Sequence, residues 1–176
     1  MSYIKFVFPS EDHAFIVKKF IEECTTLNSN MQGTSQVETL DYNVWLEKVR
    51  QDYQGTSTDK SRVPATTFLV FNGEDTLVGF VNIRHYLNAF LLEIGGHIGY
   101  MVRPSQRRKG YAKALLKEAL NYCKNELNLD AVLVTCDDDN IGSKKTILAN
   151  GGQYENTVLE APATKVERYW IHLDAL

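Results

Sequence analysis

The stretch "RPSQRRKGYAKALLKEALNYCKNEL", Arg103 to Leu127, places three consecutive cations directly before a Gly-x-Ala step. Apolar residues then recur at helical spacing, which predicts an amphipathic helix from about Gly110 to Leu127. The start of a helix already carries unpaired backbone N–H groups and about half a positive charge. Arg107, Arg108 and Lys109 therefore cost electrostatic stability at this place unless an anion offsets them. A solvated basic turn is the simpler interpretation, and a phosphate site is the more specific one.

Strand-like and helix-like segments alternate on both sides of this stretch. The predicted elements are, in chain order, a strand at 3–8, a helix capped by Ser10, a helix from about Leu40, strands at 66–71, 76–87 and 91–102, the helix just described, a strand at 130–136, a short helix from Asn140 to Gly151, and strands at 153–160 and 166–173. The Asn-Gly step in "NGED" predicts the turn between the second and third strands. Gly95-Gly96 predicts a bulge or bend.

The strand, helix and strand around the cationic turn predict a parallel, right-handed crossover. In such sheets, ligands bind at the carboxyl ends of strands where neighbouring strands diverge. The cationic turn lies at a place of that kind. The chain shows no repeat and no linker that would divide it, so residues 1–176 are expected to form a single α/β domain.

Composition excludes several classes of protein. The formal net charge of −3 argues against a nucleic-acid partner, because such proteins are usually basic. The cysteines Cys24, Cys123 and Cys136 are odd in number and far apart, which favours a reducing compartment over a disulfide framework. Neither they nor the four histidines show the spacing of metal ligands. The N-terminus does not resemble a signal peptide and no apolar run reaches membrane-spanning length, so we expect a cytoplasmic protein without a metal or a membrane partner.

The cationic turn carries a resemblance to a known family. Residues Arg107 to Ala112 match the Arg/Gln-x-x-Gly-x-Gly/Ala signature of the GNAT superfamily of N-acetyltransferases, and the preceding "GYMVRPSQ" resembles the fourth strand of that family. Asn140-x-x-Ser143, followed by a helix and Gly151, resembles its second conserved block. The order of elements is similar over most of the chain and least so between Thr25 and Val63. The resemblance implies an α/β (α+β) fold with a strongly bent mixed sheet of six to seven strands and about four helices.

Acetyl-CoA is the cosubstrate that the resemblance implies. Its expected binding residues are Met101, Val102, Arg107, Arg108, Lys109, Gly110, Tyr111, Ala112, Asn140 and Ser143. A diphosphate needs several N–H donors that converge on it, and a glycine in the turn lets the backbone approach closely. By resemblance, the backbone of Met101 and Val102 would pair with the pantetheine arm as an added strand pairs with a sheet edge.

The implied reaction is direct transfer of the acetyl group to a primary amine of a small-molecule or peptide acceptor. An alkylamine has a pKa of about 10.4, so a general base is expected. Glu93 is the first candidate because many family members carry a glutamate on this strand, and His97 and His85 follow. Alternation along an unbroken strand would place Glu93 and His97 on one face, and a bulge could reverse His97. A surface glutamate and two packed histidines are the structural alternatives.

One position departs from the family pattern. Many members carry a tyrosine seven residues after the Asn of the second block, where it protonates the leaving thiolate, and this chain has Ile147 there. The acid is therefore unassigned, and a non-catalytic CoA-binding sensor on the same fold is the alternative function. A nucleotide-binding enzyme is disfavoured, because the chain contains neither Gly-x-x-x-x-Gly-Lys-Ser/Thr nor Gly-x-Gly-x-x-Gly after a strand. A homodimer through the late strands is one option for assembly.

Overall fold

The computed structural model describes residues 2–174. Its elements are β1 (Ile4–Val7), a 3-10 turn (Glu11–His13), α1 (Ala14–Thr26), α2 (Tyr42–Gln54), β2 (Ala65–Asn72), β3 (Leu77–Arg84), a π-helical turn (Leu91–Gly95), β4 (Ile98–Val102), a 3-10 turn (Pro104–Gln106), α3 (Tyr111–Asn125), β5 (Ala131–Asp137), α4 (Ile141–Ala149), β6 (Gln153–Ala161) and β7 (Thr164–His172). The predicted order of strands and α-helices is confirmed.

The strands form two antiparallel sheets with the orders β1-β2-β3-β4 and β5-β7-β6. The predicted fold class is confirmed, but the expected parallel ladder between β4 and β5 is wrong, because the two strands belong to different sheets. A backbone hydrogen bond from His97 N–H to Leu133 O, 2.7 Å long, joins the sheets just before β4 begins. β4 and β5 form no ladder beyond this bond, so the edge of β4 that faces away from β3 is unpaired, and we call the space along this edge the cleft.

Two apolar clusters hold the fold together. The first packs α3 against the inner faces of both sheets, and the second packs α1 and α2 against the opposite face of the four-stranded sheet. All eight residues of β2 are buried, because helices cover both of its faces. The four-stranded sheet is thus a rigid layer between two helical layers, and it separates a face covered by α3 from a face covered by α1 and α2.

The segment before β4 is not a strand, and the prediction of one from residue 91 is wrong there. Leu91–Gly95 forms a π-helical turn that ends at Gly96 with φ +66°. An added Cβ at Gly96 would lie 2.7 Å from the Leu133 carbonyl oxygen, so only glycine lets the chain pass this close to β5. Arg168 braces the turn by donating to Leu92 O at 2.7 Å. The alternation argument for Glu93 and His97 therefore does not apply.

Candidate active site

The start of α3 presents a row of free backbone donors. Gly110 is its N-cap with φ +84°, and Arg108 adopts φ +61° two residues earlier. Both residues thus turn the chain through left-handed conformations that bring successive N–H groups to one side. Within the described residues, no hydrogen-bond acceptor is found for the N–H groups of Arg108, Lys109, Gly110, Tyr111, Ala112 and Lys113. A diphosphate fits this array, because it supplies the acceptors and the negative charge that the helix start lacks.

The cationic side chains at this turn have different surroundings. Arg107 Nε donates to Val102 O at 3.1 Å and its terminal nitrogen donates to Ser29 Oγ at 2.8 Å, so Arg107 ties the turn to β4 and to the loop after α1. Lys109 Nζ donates to Gln106 Oε1 at 3.1 Å. Arg108 and Lys109 are exposed beside the free amides. Arg107 therefore holds the turn against β4, and the side of the turn that carries Arg108 and Lys109 is open to solvent.

β4 adds backbone groups along the edge that faces the cleft. In an antiparallel pair, alternate residues direct their N–H and C=O groups to the partner strand. The bond from Arg103 N–H to Val78 O, 2.7 Å long, sets the phase of the β3–β4 ladder. The backbone of Met101 consequently faces β3, whereas that of Tyr100 and Val102 faces the cleft. Of the two residues expected to pair with a pantetheine arm, only Val102 has its N–H on the free edge.

The start of α4 contacts β4 through a tyrosine that sequence reasoning missed. Asn140 Oδ1 caps α4 by accepting from Ser143 N–H at 3.1 Å, and Ser143 Oγ lies 3.0 Å from the Tyr100 hydroxyl. Burial raises the pKa of Tyr100 to about 12, so its phenol stays protonated at neutral pH. A protonated tyrosine therefore lies against Ser143, one helical turn before Ile147.

A cavity of about 670 Å³ lies on the face of the four-stranded sheet that α1 and α2 cover. Its charged lining residues are Glu38, Lys48, Asp52, Asp59, Arg62 and Arg84. The loop between α1 and α2 closes one side of it. Gly33, with φ +66°, packs so tightly on β4 that an added Cβ would lie 2.4 Å from the Gly99 carbonyl oxygen. The cavity therefore reaches β4 from the face opposite to α3.

Three of the six charged lining residues, Lys48, Asp52 and Arg62, form ion pairs with each other. Asp52 is 5% exposed and forms an ion pair with Arg62. Lys48 Nζ lies 4.0 Å from Asp52 Oδ2 and donates to Ser35 Oγ at 2.6 Å. Burial raises the pKa of Asp52 and lowers that of Lys48, although their opposite charges counteract both shifts. Glu38 accepts a hydrogen bond from the Thr34 hydroxyl at 2.7 Å.

Arg84 differs from the other charged residues of the cavity. Its guanidinium donates to Gly95 O at 3.3 Å, and an added Cβ at Gly99 would lie 3.3 Å from each of its terminal nitrogens. It therefore packs flat on β4. Among residues 2–174 it forms no ion pair. Burial lowers its pKa to about 10, and the group remains charged at neutral pH.

His97 joins the two sheets through one ring nitrogen and its backbone N–H. Its Nδ1 accepts from Leu133 N–H at 2.9 Å, while its own backbone N–H donates to Leu133 O. Burial, together with the nearby charge of Arg84, lowers the pKa of His97 to about 4. A neutral imidazole that accepts at Nδ1 carries its proton on Nε2 and has no lone pair left for an amine proton. This geometry supports a structural role.

The other two candidate bases lie away from the cavity. His85 Nε2 is 2.7 Å from the Thr66 hydroxyl, which in turn is 3.1 Å from the Tyr122 hydroxyl of α3, so His85 faces the opposite side of the sheet. Burial lowers the pKa of His85 as well. Glu93 is exposed on the π-helical turn and is not among the residues that line the cavity. The structure therefore does not bring the three expected catalytic residues into one site.

Metal-binding clusters and membrane-spanning helices are absent from the described residues. Residues 2–174 contain no group of three or more His, Cys, Asp and Glu side chains arranged to hold a metal ion. No helix in the same range combines the length and apolar character needed to cross a membrane. Cys24, Cys123 and Cys136 are buried free thiols.

Comparison with known proteins identifies the family. The family model described as "Acetyltransferase (GNAT) domain" matches residues 20–153. This chain belongs to the GNAT acetyltransferase family. The membership predicted from the cationic turn is confirmed. A curated relative, the uncharacterized N-acetyltransferase YnaD of Bacillus subtilis (strain 168), is 29% identical over 87 residues. That match spans 49% of this chain and 49% of YnaD, about half the length of each.

Solved structures share the fold over nearly the whole of this GNAT chain. Mycobacterium smegmatis RimJ in complex with CoA-disulfide has a TM-score of 0.75 at 14% identity, covering 98% of this chain and 83% of that one. Spermidine N-acetyltransferase from Vibrio cholerae in complex with CoA and spermine has a TM-score of 0.66 at 15% identity, covering 97% and 96%. At such low identities the likeness shows the architecture alone.

Proposed function

We propose that this GNAT protein transfers an acetyl group from acetyl-CoA to a primary amine of a small-molecule or peptide acceptor, by direct attack in a ternary complex. The array of free N–H groups at the start of α3 carries the proposal, since it lies at the end of β4 and supplies donors for the diphosphate. The backbone of Val102 and Tyr100 continues these donors along the free edge of β4. Solved relatives that contain CoA support the choice of cosubstrate.

The cavity on the opposite face of β4 is the proposed acceptor site. An amine that enters it reaches β4 from one face while the thioester lies along the cleft edge. The nitrogen lone pair attacks the thioester carbonyl carbon, the C–S bond breaks, and the CoA thiolate leaves. The attacking amine must first lose a proton, because its usual pKa of about 10.4 keeps it charged at neutral pH.

Glu38 is our candidate for holding or deprotonating the amine. Among the lining carboxylates, Asp52 is paired with Arg62, and Asp59 accepts from Ser61 N–H at 2.9 Å and from the Ser61 hydroxyl at 2.7 Å. Glu38 accepts from a single hydroxyl, that of Thr34, and so keeps lone pairs for a substrate. Glu93, His97 and His85 remain untested as bases, and their surroundings give them less support than those of Glu38.

Tyr100 is our candidate for protonating the leaving thiolate. Its phenol stays protonated at neutral pH and lies against Ser143 of α4, one helical turn before Ile147. A tyrosine on β4 can therefore supply the proton that Ile147, buried and apolar, cannot. Asn140 and Ser143 then act by fixing the start of α4 beside this phenol.

Assembly and location extend the proposal. β6 is an edge strand whose residues are mostly exposed, which supports a homodimer formed through the late strands. Size-exclusion chromatography with light scattering tests this directly. The free, buried cysteines support a reducing compartment such as the cytoplasm.

Calorimetric titration with acetyl-CoA, followed by an amine panel scored for released thiol, tests the proposed function. Binding together with thiol release on at least one amine supports the transferase. Binding without release on any amine overturns it and supports the CoA-binding sensor, which the residue at position 147 favours. Absence of acetyl-CoA binding would refute both functions.

A further inference from the structure

The cavity contains a feature that bears on the identity of the acceptor. We propose that the acceptor amine also carries an anionic group, a carboxylate or a phosphate, and that Arg84 binds this group. The inference rests on the proposed function, since it treats the cavity beside β4 as the acceptor site. It names the substrate class that this site selects.

Arg84 is a cation whose partner is missing from the folded chain. Moving a guanidinium out of water is costly unless an anion or several hydrogen-bond acceptors replace the lost hydration. Within residues 2–174, Arg84 forms no ion pair, and its guanidinium has one carbonyl acceptor, Gly95 O at 3.3 Å. The guanidinium fork matches the geometry of a carboxylate or a phosphate. The remaining donors of Arg84 are therefore available to a ligand in the cavity.

The other charges of the cavity do not neutralise Arg84. Asp52 is engaged by Arg62 and approached by Lys48, and Asp59 closes the turn with Ser61. Burial is the only cause that shifts the pKa of Arg84, so no carboxylate of the described residues acts on it appreciably. The end of the cavity next to Gly99 is thus positively charged. A polycation such as spermine, which occupies a neighbour of this fold, is poorly suited to that end.

The position of Arg84 restricts the acceptor further. Its terminal nitrogens pack against Gly99 on β4, and the tight approach of Gly33 to the same residue closes the cavity there. An anion bound to Arg84 would therefore lie close to the strand that borders the reaction cleft. The anionic group and the reacting amine must then be separated by a short linker, as in a small amino acid, a short peptide or an aminoalkyl phosphate.

Matched pairs of amines that differ only in the anionic group test the inference. β-Alanine is compared with β-alaninamide, glycylglycine with glycylglycinamide, phosphoethanolamine with ethanolamine, and spermidine serves as an amine without an anion. Thiol release at saturating acetyl-CoA is measured for the wild type, Arg84→Gln, Arg84→Lys and Arg50→Gln. Arg50→Gln is the matched control, because Arg50 is exposed and pairs with Glu11 outside the cavity.

We expect the anionic member of at least one pair to be preferred by about tenfold or more in kcat/KM. Arg84→Gln should remove that preference, Arg84→Lys should retain part of it, and Arg50→Gln should leave it unchanged. The carboxylate and phosphate pairs show which anion the site takes. Arg84→Gln should unfold at a urea concentration no lower than that of the wild type. If Arg84 were mainly structural, its substitution would lower stability and leave the kcat/KM ratio within each pair unchanged.

Two outcomes overturn the inference while the proposed function stands. The first is that no pair shows a preference for its anionic member, or that spermidine reacts as fast as the best anionic amine. The second is an anion preference that Arg84→Gln leaves intact.

If no amine in the panel reacts, binding of N-acetyl-β-alanine and of its amide in the presence of CoA tests the anion site separately from the transferase activity. Tighter binding of the acid that depends on Arg84 supports the anion site even though the transferase fails. Equal or absent binding of acid and amide refutes the inference.

Discussion

Substitution of Gly110 by asparagine and by aspartate isolates the charge requirement at the start of α3. Gly110 has φ +84°, and both replacements tolerate this left-handed conformation better than other side chains. An added Cβ would meet the Ser2 hydroxyl at 3.3 Å, a side chain that can rotate away. The two variants have nearly the same shape and differ by one negative charge, so the difference between them measures electrostatics alone.

The expected penalty follows from Coulomb's law. Two unit charges about 5 Å apart interact by about 0.8 kcal/mol in bulk water and by about 3 kcal/mol near a protein surface. Gly110 is exposed, which favours the lower value, but a diphosphate carries more than one charge. We therefore expect Gly110→Asp to bind acetyl-CoA with about 2 kcal/mol less free energy than Gly110→Asn, which is roughly thirtyfold in Kd.

Calorimetric titration of both variants gives this ratio directly, with urea unfolding as the control for folding. The ratio should shrink as salt is raised from about 0.05 M to about 1 M, because screening shortens the range of the repulsion. Kd values of both folded variants that equal that of the wild type would refute the assignment of the diphosphate to this turn. Equal weakening of both variants relative to the wild type, unchanged by salt, would refute the electrostatic reasoning and indicate a steric effect.

Further predictions concern the residues on β4 and in the cavity. The pKa of His97 in the folded protein, about 4, lies below its ordinary value of 6.5. Between these two pH values the unfolded state binds more protons than the folded state. The contribution of His97 to stability is therefore fully present above pH 6.5 and is lost as the pH falls towards 4. Urea unfolding should show an acid loss on the order of 3 kcal/mol in the wild type that His97→Gln lacks; parallel curves for both proteins would contradict it. Tyr100→Phe should lower kcat by about a hundredfold and leave the KM for acetyl-CoA within about twofold; an unchanged kcat excludes Tyr100 as the acid. Arg62→Met should lower the free energy of unfolding by about 2 to 3 kcal/mol because it leaves the buried Asp52 with Lys48, 4.0 Å away, as its remaining ionic partner. Asp52→Asn in the same chain should restore part of the loss, and a change within about 0.5 kcal/mol would show that the pair is solvated.

The boundaries of most elements could be predicted because their signals are local. The helical spacing after Gly110 predicts α3, Asn140 predicts the start of α4, and the Asn-Gly step predicts the β2–β3 turn; all three are found. Capping and turn formation involve residues only a few positions apart, so the sequence contains the interacting partners side by side. The same holds for the cationic turn, which six consecutive residues form.

The segment before β4 shows where a local pattern misleads. Residues 91–102 are mostly apolar and contain two glycines, which is typical of a strand with a bulge. The π-helical turn depends instead on the contact of Gly96 with β5 and on the hydrogen bonds from Arg168, 76 residues away from Leu92. Distant contacts of this kind override local propensity. The local pattern does not contain them, and it therefore predicts a strand at Glu93.

The amino-acid sequence by itself determined the family, the order of elements and the position of the cationic turn, because each depends on neighbouring residues. Only the tertiary structure decided which polar side chains are free to act. The sequence made His97 a candidate base and did not single out Arg84. In the fold, the Nδ1 and the backbone N–H of His97 are bonded to Leu133, and Arg84 lacks an ionic partner within the described chain. Whether a charged side chain is paired depends on residues that folding brings together from distant parts of the chain. The same contacts decide which charged groups stay available to bind a substrate.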